Sequence, residues 1–267
     1  MADKNNMTFL QHLEELRWHI IRSVIAILVV TVAAFLMSDF IFGEIILGPK
    51  KPEFWSNRMM ALLADFTGVE ALRINNQDLS IISIKMAGQF LTHLKISVYV
   101  GIIAAFPYLV YEVWRFIYPA LNKKERRHAR GGVFFSSFLF FVGVAFSYYL
   151  ILPLSIHFLG SYNIDPSITN QINIVSYIQT VSSILFSGGI VFELPIVIFF
   201  LSKIGLVTPE GMRKYWRHAI VCMLILSAVI TPPDVFSQIM VCLPLIALYA
   251  ISIRISKRVV KRMDSEE

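Results

Sequence analysis

Several uninterrupted apolar runs exceed the ~18 residues that mark a membrane-crossing helix. That feature narrows the fold more than any other. Lipid offers a backbone no water to bond, so such a run must satisfy its own amides and carbonyls as a helix. Only 16% of the residues are charged, where a soluble chain carries about a quarter. The runs predict an all-α membrane protein with six transmembrane helices, at roughly 21–42, 96–118, 133–159, 177–203, 218–231 and 235–253. The first run follows a polar stretch containing acids and lacks a small-residue cleavage site, so it reads as a retained span.

Basic residues set the orientation. Eighteen of the 24 Lys and Arg fall at the N-terminal end up to Arg22, in or at the edges of the second and fourth connections, or in the tail. The other six lie between Lys50 and Lys95. By the positive-inside rule both termini face the cytoplasm. This asymmetry accounts for the net charge of +6 and calls for no nucleic-acid partner. The expected third span, 133–159, is ~40 Å long and must tilt, bend or project. The fifth, between Arg217 and Pro232, is only ~21 Å and draws water or headgroups inward. Pro244 is expected to break and kink the sixth. The long first connection, 43–92, carries an amphipathic stretch at 55–66, expected as a surface helix, and "LSIISI", which could form a strand.

Four polar stretches interrupt this pattern. "TFLQHLEELRWHI" opens with a capping-box spacing, Thr8 to Gln11, and sets Leu10, Leu13, Leu16 and Ile20 in a stripe apart from Glu14, Glu15 and Arg17. "PALNKKERRHARGG" places one carboxylate, Glu125, among cations, with Asn122 able to cap the third helix. In "TPPDVFSQ" two prolines end the fifth span, Asp234 can cap the sixth, and Gln238 lies one turn inside the membrane. Glu193, in "LFSGGIVFELPIVIFFL", sits ten residues before Lys203, near mid-bilayer, where a charged acid costs several kcal/mol. It is either a protonated, helix-bonded side chain or a polar docking point or proton site; Pro195 beside it weakens the helix.

Taken together these stretches resemble the TatC family, the polytopic subunit of the twin-arginine protein translocase. The likeness covers about residues 8–255 and rests on "HLEELR" (12–17), "FPYLVYEVWRFIYPALNKKERR" (106–127), "FELP" (192–195) and "TPPDVFSQ" (231–238). It implies a cup-shaped bundle, a single domain over 1–255, and a basic-then-acidic cytoplasmic tail over 256–267. It further implies a receptor for folded precursors bearing twin-arginine signal peptides. Glu15, Arg17, Phe116, Glu125, Arg126 and Arg127 match the family's signal-peptide site. Glu193, Gln238 and Asp234 match the intramembrane polar region near which TatA-type and TatB-type single-span proteins dock, and Pro49 matches a proline of the first external loop. The resemblance implies a homo-oligomeric complex in the lipid of the bacterial inner membrane, driven by the proton motive force. Glu112 departs from the family, which often has Gln there; it either joins the binding site or pairs with Arg115.

Enzyme signatures such as "HExxH" and "GxSxG" are missing, and no cofactor, metal or catalytic residue is expected. Cys222 and Cys242 read as small apolar filler. The competing class is a proton-coupled small-molecule transporter with Glu193 as proton carrier. Such transporters carry internal repeats and more intramembrane polar groups, and the chain shows neither clearly.

Overall fold

Helix α1 (Phe9–Leu36) joins the polar lead-in and the first apolar run into one element. This computed structural model describes residues 9–75, 79–117, 129–165, 167, 170–230 and 235–264. The expected first span, 21–42, is helical throughout but broken by a turn at Met37: α1 stops at Leu36, and the chain goes on through a short α-helical turn, Ser38–Phe40, a π-helical stretch, Ile41–Ile46, and a 3-10 turn, Gly48–Lys50. α2 (Trp55–Thr67) is the amphipathic helix of the first connection. The strand alternative for "LSIISI" is also realised, in miniature. β1 (Ile81–Ile82) pairs in parallel with β2 (Ile172–Asn173), Ile81 opposite Ile172.

α3 (Gly88–Ile117) carries Pro107 within it. α4 (Ala129–Phe146) widens into a π-helical stretch, Ser147–Ile151, before continuing as α5 (Leu152–Ser161). The overlong third span is thus bulged. α6 (Ile174–Phe192) starts at Asn173, whose side chain accepts from the Val175 amide at 2.9 Å. Then follow α7 (Leu194–Lys203), α8 (Pro209–Lys214), α9 (Trp216–Ile230) and α10 (Val235–Asp264). Pro244 does not break α10, which runs on through the basic tail, so only its apolar part is short. Among the described residues four stretches are long and apolar enough to cross a membrane: Leu13–Leu36, Gly88–Ile117, Gly131–Ser161 and Ile174–Lys203. Trp216–Ala228 is apolar but shorter.

The chain divides into two compact units, 1–41 with 90–138, and 42–89 with 139–267. In the first, α1 and α3 run antiparallel and touch at three levels. His93 Nε2 lies 3.1 Å from the Phe35 carbonyl, with the two rings stacked at 4.0 Å. Further along, Gly101 meets Thr31 so closely that a Cβ on the glycine would lie 2.2 Å from the threonine hydroxyl. At the third level His19 meets Glu112. Thr92, Ile96, Ala105 and Glu112 are all buried, at helical spacing, and form the seam on α3.

The expected stripe on α1 is only partly covered: Leu16 is half-buried, and Glu14 and Arg17 off the stripe are exposed as expected. Leu13 and Ile20 are exposed, whereas His19, Thr31 and Ala34 are buried and Glu15 is half-buried. Lipid tails are as apolar as leucine, so nothing drives those leucines inward. Small and polar groups that bond across helices take the interior.

In the second unit the first connection is tied down by side-chain amides. Asn57 donates to the carbonyls of Pro49 (3.0 Å) and Lys51 (2.8 Å). Asn75 donates to Asn57 Oδ1 (3.2 Å) and to the Pro153 carbonyl (3.0 Å), while its own amide reaches His157 Nδ1 at 3.2 Å. Tyr148 and Tyr177 donate to the carbonyls of Ile45 and Ile46, both at 2.8 Å. The Tyr149 carbonyl, in the π-helical stretch, accepts from the Ser56 hydroxyl. Buried loop carbonyls must be bonded somewhere, and here tyrosines and asparagines do it.

Candidate functional site

Two places gather the polar residues singled out in the sequence. One lies at the N-terminal end of α1 and the C-terminal end of α3. Glu15 and Arg17 stand on the first turns of α1, Glu15 half-buried and Arg17 exposed. One turn on, His19 is 6% exposed, and its Nδ1 lies 2.5 Å from Oε2 of Glu112, itself 1% exposed. The Tyr108 hydroxyl also donates to Glu112, and Arg22 Nη1 lies 4.0 Å from the same oxygen. The Phe116 ring, one turn beyond Glu112, meets the His19 ring edge-on at 5.9 Å. Thus Phe116 comes to the same cluster as Glu112, and Glu15 shares a helix face with His19. Of the two alternatives for Glu112, the pairing with Arg115 is not formed; its direct partner is His19. Glu125, Arg126 and Arg127, with the Asn122 cap, lie outside the described residues, as does the Thr8 capping box.

The second place is the joint between α6 and α7. Glu193 occupies it at φ −74° and ψ −11°, and its carbonyl accepts from the amides of Ile196 (2.9 Å) and Val197 (3.0 Å). Pro195 explains the joint: in an unbroken helix it would have to donate to the Val191 carbonyl, and it has no N–H. The Glu193 side chain is half-buried, with Oε1 shut off from solvent. One turn earlier the glycines of "SGG" let α6 press on the third span. A Cβ on Gly188 would lie 1.7 Å from the Ser147 hydroxyl, and one on Gly143 2.5 Å from the Gly188 carbonyl. Gln238 donates from Nε2 to the Leu224 carbonyl at 3.1 Å, tying α10 to α9. Asp234 lies outside the described residues. Pro49 is buried in the 3-10 turn, its carbonyl held by Asn57.

The polar motifs, their order and their helical setting agree with one set of known proteins. The sequence profile of the Sec-independent protein translocase protein family (TatC) matches residues 11–244. The chain belongs to the TatC family. A TatC from Blattabacterium is 37% identical over 97% of this chain and 98% of its own length. The Aquifex aeolicus TatC is 34% identical over 94% and 95% of the two chains. Two crystal structures of the twin-arginine translocase receptor TatC superpose with TM-scores of 0.73 and 0.69, at 32% and 30% identity, each covering 99% of the solved chain and over nine-tenths of this one. A TatC-family chain with these helices is a multi-pass membrane protein and a component of a protein translocase, not an enzyme. The small-molecule transporter alternative gives way to that assignment.

The His19–Glu112 pair is the functional-region contact that sequence reading missed. The residues lie 93 positions apart, and no local pattern links them. A signal did exist: an acid within an apolar run of α3 demands a partner. His19, on the turn after "LEELR", was the available base.

Proposed function

We propose that this chain is the signal-peptide receptor and core subunit of a twin-arginine translocase, exporting folded precursors. The observation that carries the reading is the placement of Glu15. It sits on the half-buried, polar face of α1, one turn from the His19–Glu112 cluster, rather than on the lipid-exposed face. A carboxylate on that face is an acceptor for a guanidinium, which forms two parallel charge-assisted bonds with it. Glu125, with Arg17, Arg126, Arg127 and Phe116, completes the set by family likeness. Both termini face the cytoplasm of a bacterial inner membrane, in keeping with the basic asymmetry. TatA-type and TatB-type single-span proteins dock by the α6–α7 joint and α10, around Glu193, Gln238 and Asp234. Several copies assemble in the active complex, and the proton motive force drives export.

The test is binding of a synthetic twin-arginine peptide to the purified full-length receptor. Glu15→Ala or Glu125→Ala removes a charge-assisted bond, so affinity falls by roughly ten- to a hundredfold. Lysine at either position weakens binding further through repulsion. Normal binding by both lysine variants would refute the assignment.

A further inference from the structure

Glu112 is unusual in its setting. A carboxylate 1% exposed, on an apolar helix, is expensive to keep. Two groups tie it to α1: His19 bonds it directly, and Arg22, three residues further along the same helix, lies 4.0 Å away. Tyr108 bonds it from its own helix, one turn back. The cluster is therefore a clasp between α1 and α3, unlike the two other contacts of that seam. His93–Phe35 uses a backbone carbonyl and stacked rings, and Gly101–Thr31 is a close approach of small groups. Of the three levels only this one joins ionisable side chains, and the His19–Glu112 bond fixes direction as well as distance.

The spacing on either side gives the clasp its meaning. Glu15 precedes His19 by four residues and Phe116 follows Glu112 by four. Each lies one turn, ~6 Å, from the clasp, on the same face of its helix. A bond between residues 19 and 112 thus sets the separation and register of the faces bearing Glu15 and Phe116. Bidentate recognition of a guanidinium tolerates displacements of only about 0.5 Å. We propose that the His19–Glu112 bond is a positioning clasp that holds Glu15 and Phe116 at the spacing required for twin-arginine recognition, so that His19 and Glu112 govern affinity without touching the peptide. The inference rests on Glu15 being a recognition carboxylate.

A binding cycle on the full-length receptor in nanodiscs, with a twin-arginine peptide as probe and a twin-lysine peptide as control, tests it. His19→Phe and Glu112→Met keep volume and remove the bond. Each weakens twin-arginine binding about tenfold, within the range for groups in direct contact. The double variant is no more than about twofold weaker than the worse single, because the bond is lost only once. Its thermal midpoint stays near that of the parent, since replacing both buried partners by apolar groups leaves no orphan. Glu112→Gln, which keeps an oxygen in place for His19, restores affinity to within about threefold of the parent. The Gln variant also serves if the other proteins fail to accumulate, since a tenfold loss there overturns the clasp. So do parental affinity in both singles, or losses that multiply in the double. Glu15→Lys is run alongside. If it abolishes binding while the clasp variants bind normally, recognition by Glu15 stands and the clasp falls. If it binds normally, the recognition reading fails and takes the clasp's role with it.

Discussion

A single carboxylate inside lipid must find either a partner or a proton, and Glu193 and Glu112 are settled differently. Glu112 is closed in by His19, Tyr108 and Arg22. Glu193 sits at a helix joint, half-buried, where Pro195 has already interrupted the backbone ladder. As a docking point it needs hydrogen bonding but not charge. Glu193→Gln therefore retains much of precursor export, whereas Glu193→Ala loses more. Signal-peptide binding stays near normal in both. Helix–helix hydrogen bonds in membranes average only ~0.6 kcal/mol, a strength suited to reversible docking. Export assays with crosslinking to small subunits read the difference. Complete loss in the Gln variant with crosslinking intact points to proton transfer instead. At this scale the sequence was half legible. The acids announced themselves by their apolar surroundings, but a partner 93 residues away did not.

Among elements, the first connection shows how irregular chain is held without a core of its own. Asn57 donates to the carbonyls of Pro49 and Lys51 and receives a bond from Asn75. Asn57→Ala takes the side-chain donor from the buried Pro49 carbonyl, while the Lys51 carbonyl keeps the Phe54 amide, at a cost of roughly 1–3 kcal/mol. Amide exchange across residues 47–75 should accelerate, while exchange in α1 and α3 stays unchanged. Equal protection in the variant and the parent would sink this account. Helices were the most legible elements, since long apolar runs have one solution in lipid. Their limits were less so. α1 starts well before residue 21 because the polar lead-in and the apolar run share one helix, and it stops at Leu36 although the apolar residues continue. α10 ignores Pro244. Which side of α1 turns inward was not legible, because the rule that apolar residues turn inward belongs to water: Leu13 and Ile20 are exposed while His19 is buried.

For the whole molecule, orientation can be tested by labelling. With Cys222 and Cys242 replaced, a cysteine at the exposed Glu210, in the basic fourth connection, is expected to react only from the cytoplasm. One at the exposed Ser167 is expected to react only from outside. Labelling of residue 210 from outside would reverse the assigned topology. The sequence carried the helix order and the basic asymmetry, and those sufficed for the fold class. Helix α9 adds something to the energetics of the assembled molecule. Its 15 residues span ~22 Å, against a hydrocarbon core of ~30 Å. A membrane voltage drops across whatever insulating layer separates the two aqueous phases. Where that layer narrows to the length of α9, the electric field steepens by about 1.4-fold. A charge moved one ångström beside α9 then does correspondingly more electrical work than the same charge moved beside any of the longer helices.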